Sequence, residues 1–129
     1  MDKLIDEIKK YTLGIVKNDL PWEIRGEFSF DRDFIGFSGH FPGYPILPAV
    51  LQLFLAQVLI EKQKGLKVRV TGIVKAKFLS EIRPDDRITV QCVDTAADET
   101  MVSKIKISCG EKQVSSFNLN YAIKENSRC

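Results

Sequence analysis

The chain carries one histidine, His40, within the stretch "FSGHFPGYPILPAVLQLFLAQV" that runs from Phe37 to Val58. An imidazole titrates near neutral pH, so one held beside a substrate can take up and return a proton. Gly39, Phe41 and Pro42 surround His40, and Pro45 and Pro48 follow before the sequence turns almost charge-free. Between Ala49 and Ile60 there is no carboxylate; Gln57 and then Glu61 are the first groups that could take part in proton traffic. Proton transfer is therefore the chemistry on offer, against the plainer alternative of a histidine that only orders its loop. Cys92, Cys109 and Cys129 are odd in number and far apart, which fits neither a disulfide framework nor a zinc site. They read as reduced thiols, and no metal is expected.

Composition narrows the setting. The 129 residues are enough for one domain with its own core, so 1–129 is taken as a single unit. A net charge of +2, with no interleaving of basic and aromatic residues, gives no reason to expect a nucleic-acid partner. The apolar run Ile46–Ile60 is broken by Pro48, Gln52 and Gln57 and is shorter than the roughly 20 residues that cross a bilayer. "MDKLIDEIKK" lacks the continuous apolar region of a signal peptide. A cytoplasmic protein without a membrane partner is the expectation.

The elements that must position His40 follow from periodicity. Leu4, Ile5, Ile8 and Tyr11 share one helical face, predicting a short helix over 2–11. Gly14 and the "NDLP" turn separate it from a strand in which Trp22, Ile24, Phe28 and Phe30 recur with period two. Residues 31–46 read as loop. Pro48 suits the start of a helix, and the pattern predicts a central helix over about 48–63, stopped by Gly65. That helix is apolar nearly all round, so it must be surrounded, and a sheet is the available wrapper. Leu66, Val68, Val70, Val74, Ala76 and Phe78 alternate as a strand with a bend at Gly72. After the "RPDD" turn, where Asp85 and Asp86 are turn residues, come strands on Ile88–Cys92, Met101–Cys109 and Ser115–Ile123. Their short connections predict that these four strands are antiparallel neighbours in sequence order. The tail 125–129 is expected to fray. The fold class is α+β, a curled antiparallel sheet wrapped around one long central helix.

These residues resemble a known family. "GHFPGYPILPAVLQL" is similar to the signature G-H-F-P-x-x-P-x-x-P-G-V-L of β-hydroxyacyl-(acyl carrier protein) dehydratases. "FSFDRDFIGFSGHFP" resembles that family's approach to the histidine, and "TGIVKAKFLSEIRPDDRITV" its strand–turn–strand. The resemblance covers most of 22–95 and implies the hot-dog fold. It also implies a lyase of fatty acid or lipid biosynthesis that eliminates water from a (3R)-hydroxyacyl thioester. His40 matches the base, and the Ala49 backbone N–H matches the donor to the thioester oxygen. Gly39, Phe41, Pro48, Val50, Phe54 and Gln57 fall where substrate would be lined. The acid position, fourteen residues after the histidine, holds Phe54, which has no proton to give. Gln57 could orient a water there, and Glu61 reads as part of a solvated helix end.

The family's chemistry uses no cofactor beyond the phosphopantetheine of acyl carrier protein or CoA that carries the substrate. The implied assembly is a homodimer or higher homo-oligomer, with a heterodimer beside a second hot-dog chain as the variant in which a partner supplies the acid. Two other readings stay open: an impaired subunit that binds acyl thioesters, and an acyl thioesterase. Lys62, Lys64, Lys67, Arg69, Lys75 and Lys77 are either a docking surface for an acidic carrier or a plain solvated face.

Overall fold

The computed structural model describes residues 2–17, 20–37, 43, 45–95 and 101–124. Helix α1 spans Asp2–Lys10 and α2 spans Ala49–Lys64, each within one residue of the boundaries read from the sequence. Six strands follow in chain order: β1 Thr12–Lys17, β2 Glu23–Ser29, β3 Val68–Phe78, β4 Arg87–Thr95, β5 Met101–Cys109 and β6 Lys112–Ile123. They form one antiparallel sheet in the order β1-β2-β4-β5-β6-β3. The sheet curls around α2, the arrangement expected from the apolar helix. The expected fraying of 125–129 lies outside the described residues.

Two expectations about the sheet are corrected. The stretch 12–17, read as a spacer around Gly14, is a strand paired along β2 with a bulge between Thr12 and Gly14. Its six residues show too little alternation for periodicity to find. More consequentially, β3 does not lie beside β4: it crosses to the far edge and pairs with β6, while β4 slots between β2 and β5. Residues 79–86 carry the chain across, and backbone bonds pin that crossing. The Leu79 and Ser80 N–H groups donate to the Val114 carbonyl, at 2.8 and 3.2 Å. Asp85 N–H donates to Phe30 O at 2.7 Å, and Leu47 N–H to Ile82 O at 2.8 Å. Asp85 sits at φ 69°, and the Arg83 N–H donates to the Asp86 carboxylate at 2.8 Å, so both aspartates are turn residues as read. A short link thus serves as a crossover because its backbone groups find partners on three other segments.

The core lies between α2 and the inner face of the sheet. Ile24, Phe28, Ile88, Val90, Cys92, Ile105, Ile107, Phe117, Leu119 and Tyr121 point inward from β2, β4, β5 and β6. Leu51, Leu55, Ala56, Val58, Leu59 and Ile60 meet them from the helix. Each fully buried aliphatic chain contributes roughly 1.5–3 kcal/mol. Trp22, expected on the buried face of its strand, lies before β2 and is 47% exposed. The expected inward face of β3 holds only at its start, where Val68 is buried and Val70 packs on the core; Val74, Ala76 and Phe78 are exposed, and Leu66 lies ahead of the strand in solvent. β3 has a neighbour on one side only, and it passes the helix over little more than its first residues. The anticipated bend is present as a register shift between Val70 and Gly72.

Gly26 of β2 faces Leu59 of α2. A Cβ there would stand 2.6 Å from Cδ2 of Leu59, a fully buried side chain that would have to shift. Gly26→Ala is expected to cost about 1–3 kcal/mol by overpacking. Measured by urea denaturation, Leu59→Ala should cost less in the Gly26→Ala background than in the wild type, because the smaller side chain relieves the clash. Strict additivity of the two would refute this contact.

Candidate active site

The start of α2 carries the part of the predicted site that lies within the described residues. α2 starts after Pro48, whose extended backbone (φ −60°, ψ 149°) breaks the preceding chain from the helix. No side chain caps this end, and Ala49 and Val50 face solvent. The Leu51 N–H turns back to the Pro48 carbonyl at 3.0 Å, which leaves the first amides of the helix without that partner. An uncapped helix start of this kind is a ready donor to an oxygen that gathers negative charge, with the helix dipole aligned behind it. Ala49 offers this N–H as well as glycine would, since the amide is unchanged.

The chain leading toward His40 is fixed by aromatic packing. Tyr11, Phe30, Phe34 and Phe37 form a contiguous cluster, with Phe30 and Phe34 stacked at 4.4 Å and Phe34 and Phe37 edge-on at 5.8 Å. A single 3₁₀ turn, Ile35–Phe37, ends it. Gly36 in that turn has the Phe34 ring on one side and the Leu51 side chain on the other, so the turn lies directly on the first turn of α2. His40 itself, with Gly39 and Phe41, lies outside the described residues.

Helix α2 is not wrapped on all sides, as its apolarity suggested. One stripe stays uncovered: Val50 is 54% exposed, and Leu53, Phe54 and Gln57 are half-buried. These positions recur at helical spacing, so they form a single face. Phe54, the acid position, lies in the middle of it. Its ring packs against the edge of the core and also borders solvent. Among the described residues nothing closes this face, and β3 lies at the edge of the sheet.

The neighbouring polar groups on this face are already engaged. The Gln57 amide nitrogen donates to Glu61 Oε2 and to the Val68 carbonyl, both at 3.4 Å. Glu61 also accepts the Val68 N–H at 2.9 Å. The reading of Glu61 as a solvated helix end is therefore corrected: the carboxylate fastens the end of α2 to the start of β3. Lys64 is also withdrawn from the surface group it was placed in, since its ammonium sits 2.6 Å from Asp94 Oδ2. Asp94 in turn accepts the Tyr121 hydroxyl at 3.0 Å. Burial, with Asp94 next, pushes the Tyr121 phenol up.

Sequence reading missed one polar pair. Gln52 is buried on the sheet side of α2, one turn past Ala49, and its carbonyl oxygen accepts the Ser115 hydroxyl of β6 at 2.6 Å. A glutamine inside an otherwise apolar helical run was the available signal. Cys92 is buried, and burial followed by Asp94 pushes its thiol up, so it stays protonated and is no nucleophile. Among the described residues no group of three His, Cys, Asp or Glu side chains could hold a metal ion. Nor is any helix among them long and apolar enough to cross a membrane.

Comparison with known proteins bears on this geometry. The ApeI-like family, described as ApeI dehydratase, matches residues 17–118. The 3-hydroxyacyl-[acyl-carrier-protein] dehydratase FabZ of Clostridioides difficile (strain 630) is 34% identical over 97 residues, 69% of this chain and 68% of that protein. FabZ of Chlamydia trachomatis serovar D is 41% identical over 97 residues, 68% of this chain and 60% of that protein. FabZ of Hydrogenobaculum sp. is matched over 53% of its length, so this chain spans between about half and two thirds of these relatives. Among solved structures, a chain of the dehydratase heterocomplex ApeI:P from Xenorhabdus doucetiae superposes with a TM-score of 0.72 at 15% identity, covering 86% of this chain and 96% of that one. A hypothetical thioesterase protein with coenzyme A from Streptococcus pneumoniae TIGR4 gives 0.67 at 11% identity, covering 96% of each. At such identities the structural likenesses speak for the hot-dog fold alone, whereas the family match spans most of the chain. The chain belongs to the ApeI-like dehydratase family and has its α+β hot-dog fold.

Proposed function

We propose that this chain eliminates water from (3R)-hydroxyacyl thioesters carried on the phosphopantetheine of an acyl carrier protein, as part of fatty acid or related lipid synthesis. The observation that carries the reading is the uncapped, solvent-facing start of α2 in a chain of a dehydratase family. His40 removes the proton on the carbon next to the thioester. The electron pair moves toward the carbonyl oxygen, which the Ala49 N–H receives. Collapse of that enolate expels the 3-hydroxyl, which takes back the proton that His40 removed and leaves as water. Gly39, Phe41, Pro48, Val50, Phe54 and Gln57 line the acyl group. The same groups run in reverse for hydration, and no cofactor enters the proton balance.

The last proton is where this chain differs, and Phe54 favours a second form of the reading. The acid position lies on the stripe of α2 that the chain's own sheet leaves uncovered. β3 offers an open edge with Ile73, Val74 and Phe78 exposed, the kind of apolar edge that pairs with another strand. A second hot-dog chain docked there would cover Phe54 and could bring its own carboxylate to His40. In this form the chain is one half of a site, and alone it binds thioesters with little turnover.

Incubation with 3-hydroxyacyl- and enoyl-carrier thioesters, followed in both directions, tests the base. His40→Ala is expected to lower turnover by about 10²–10⁴-fold. Undiminished turnover in that variant would remove His40 from the mechanism. Phe54→Glu is expected to raise the activity of the isolated protein by at least about tenfold, the worth of a positioned acid. No gain in a well-folded variant would mean that the acid does not belong at this position. Pairing through β3 predicts a dimer in native mass measurement that Val74→Lys converts to single chains. A Val74→Lys variant that stays dimeric would move the interface elsewhere.

A further inference from the structure

The buried side of α2 carries one polar residue. Leu51, Leu55, Ala56, Val58, Leu59 and Ile60 are apolar, and Gln52 alone among the buried side chains of the helix is not. Its carbonyl oxygen accepts the hydroxyl of Ser115, itself buried on β6, at 2.6 Å and across 63 positions of sequence. Such a pair adds little stability over apolar side chains of the same shape, because each group gives up water to form it. What it adds is direction. Apolar packing tolerates small slides and rotations of a helix, whereas a short hydrogen bond holds one setting.

A second tie reaches the same place on β6 by another route. The Leu47 N–H, two residues before Ala49, donates to the Ile82 carbonyl at 2.8 Å. Ile82 belongs to the crossover, whose Leu79 and Ser80 N–H groups donate to the carbonyl of Val114, the residue beside Ser115. Ala49 therefore stands between two anchors: Leu47, held through the crossover, and Gln52, held by its own side chain. Leu51, in the same turn of helix, bears on Gly36 of the 3₁₀ turn that leads toward His40. The setting of this one turn thus fixes the Ala49 N–H relative both to the sheet and to the Ile35–Phe37 turn.

We propose that Gln52 and Ser115 are positioning residues for the oxyanion donor: their bond sets the rotation of α2 that aims the Ala49 N–H at the thioester oxygen. The assignment rests on the dehydratase reading above for the thioester. It adds two groups that move no proton themselves and act from the core side of the helix, away from the half-open stripe that holds Phe54. Negative charge gathers on the oxygen only on the way to product, so the pair acts on kcat and not on the affinity for thioester. A donor displaced by about 1 Å costs up to about 10²-fold in rate.

The test compares the wild type with Ser115→Ala and with Gln52→Met/Ser115→Ala. The single variant strands the Gln52 carbonyl oxygen, so its urea midpoint should fall. The double variant replaces both partners by apolar groups of similar shape, and its midpoint should return to that of the wild type. In dehydration of a 3-hydroxyacyl thioester, both variants should lose about 10–100-fold in kcat with KM unchanged. A merely structural pair would give the double variant wild-type kcat along with its wild-type midpoint, and that result overturns the proposal. A rise in KM at constant kcat overturns it too, since the pair would then serve binding. If the double variant does not fold, the kcat of Ser115→Ala, read well below its urea midpoint, decides in the same way. The infrared carbonyl stretch of a bound enoyl thioester reads the donor without turnover. It should lie lower on the wild type than in water and move back in both variants; equal frequency on all three proteins overturns the proposal. A wild type that lowers the stretch yet turns over no thioester defeats the dehydratase reading alone, and the variants still decide the positioning.

Discussion

Helix α2 has no charged residue from Ala49 to Ile60, and keeping its apolar side chains out of water is the constraint on which the rest of the molecule depends. The sheet curls because it must follow the helix, and at Gly26 a Cβ would press on the Leu59 side chain of that helix. Yet five strands packed in sequence order around one helix is not what the chain adopts. By sending β3 to the outer edge, the fold leaves one stripe of α2 half open. The uncovered stripe and the exposed apolar face of β3 are thus two consequences of one topological choice.

The two ends of α2 are held differently, and the contrast suits the proposed chemistry. At the C-terminal end, Gly65 closes the helix in the left-handed region (φ 68°), with its N–H on the Glu61 carbonyl. Glu61 binds Val68, Lys64 binds Asp94, and the Gln63 amide donates to the Pro21 carbonyl at 2.8 Å. Midway, Gln52 and Ser115 fix the helix to β6 through a buried bond whose loss would strand a polar group in the core. At the N-terminal end, among the described residues, no side chain caps the helix. A helix clamped at its far end and middle keeps its free amides in a constant place, which is what stabilising a developing oxyanion requires.

Phe54 stands at the point where these features meet. A carboxylate on this half-buried stripe would be costly to desolvate further unless a partner charge came with it. Phenylalanine avoids that cost and adds apolar area to the same stripe. Phenylalanine here removes an acid and extends the apolar stripe, which is why the proposed pairing asks the other chain for the carboxylate.

Much of this was legible in the residues themselves. The spacing of Leu4, Ile5, Ile8 and Tyr11, the unbroken apolar run after Pro48, and the period-two patterns of β2, β4, β5 and β6 set the elements and the α+β class. Burial on one face leaves a direct mark on local sequence. The histidine–proline motif marked the family, and the residue fourteen beyond His40 marked its departure from it. What local pattern could not carry was partnership between distant segments. The alternation along β3 is the same whether that strand is central or at an edge, so only the hydrogen bonds of residues 79–86 decided that it crosses to β6. Lys62, Lys64 and Lys67 look alike in sequence, and tertiary contact alone gave one of them to Asp94. Periodicity reports which way a side chain faces relative to its own backbone, whereas an edge, a salt bridge or a buried hydrogen bond exists only between backbones that folding has brought together.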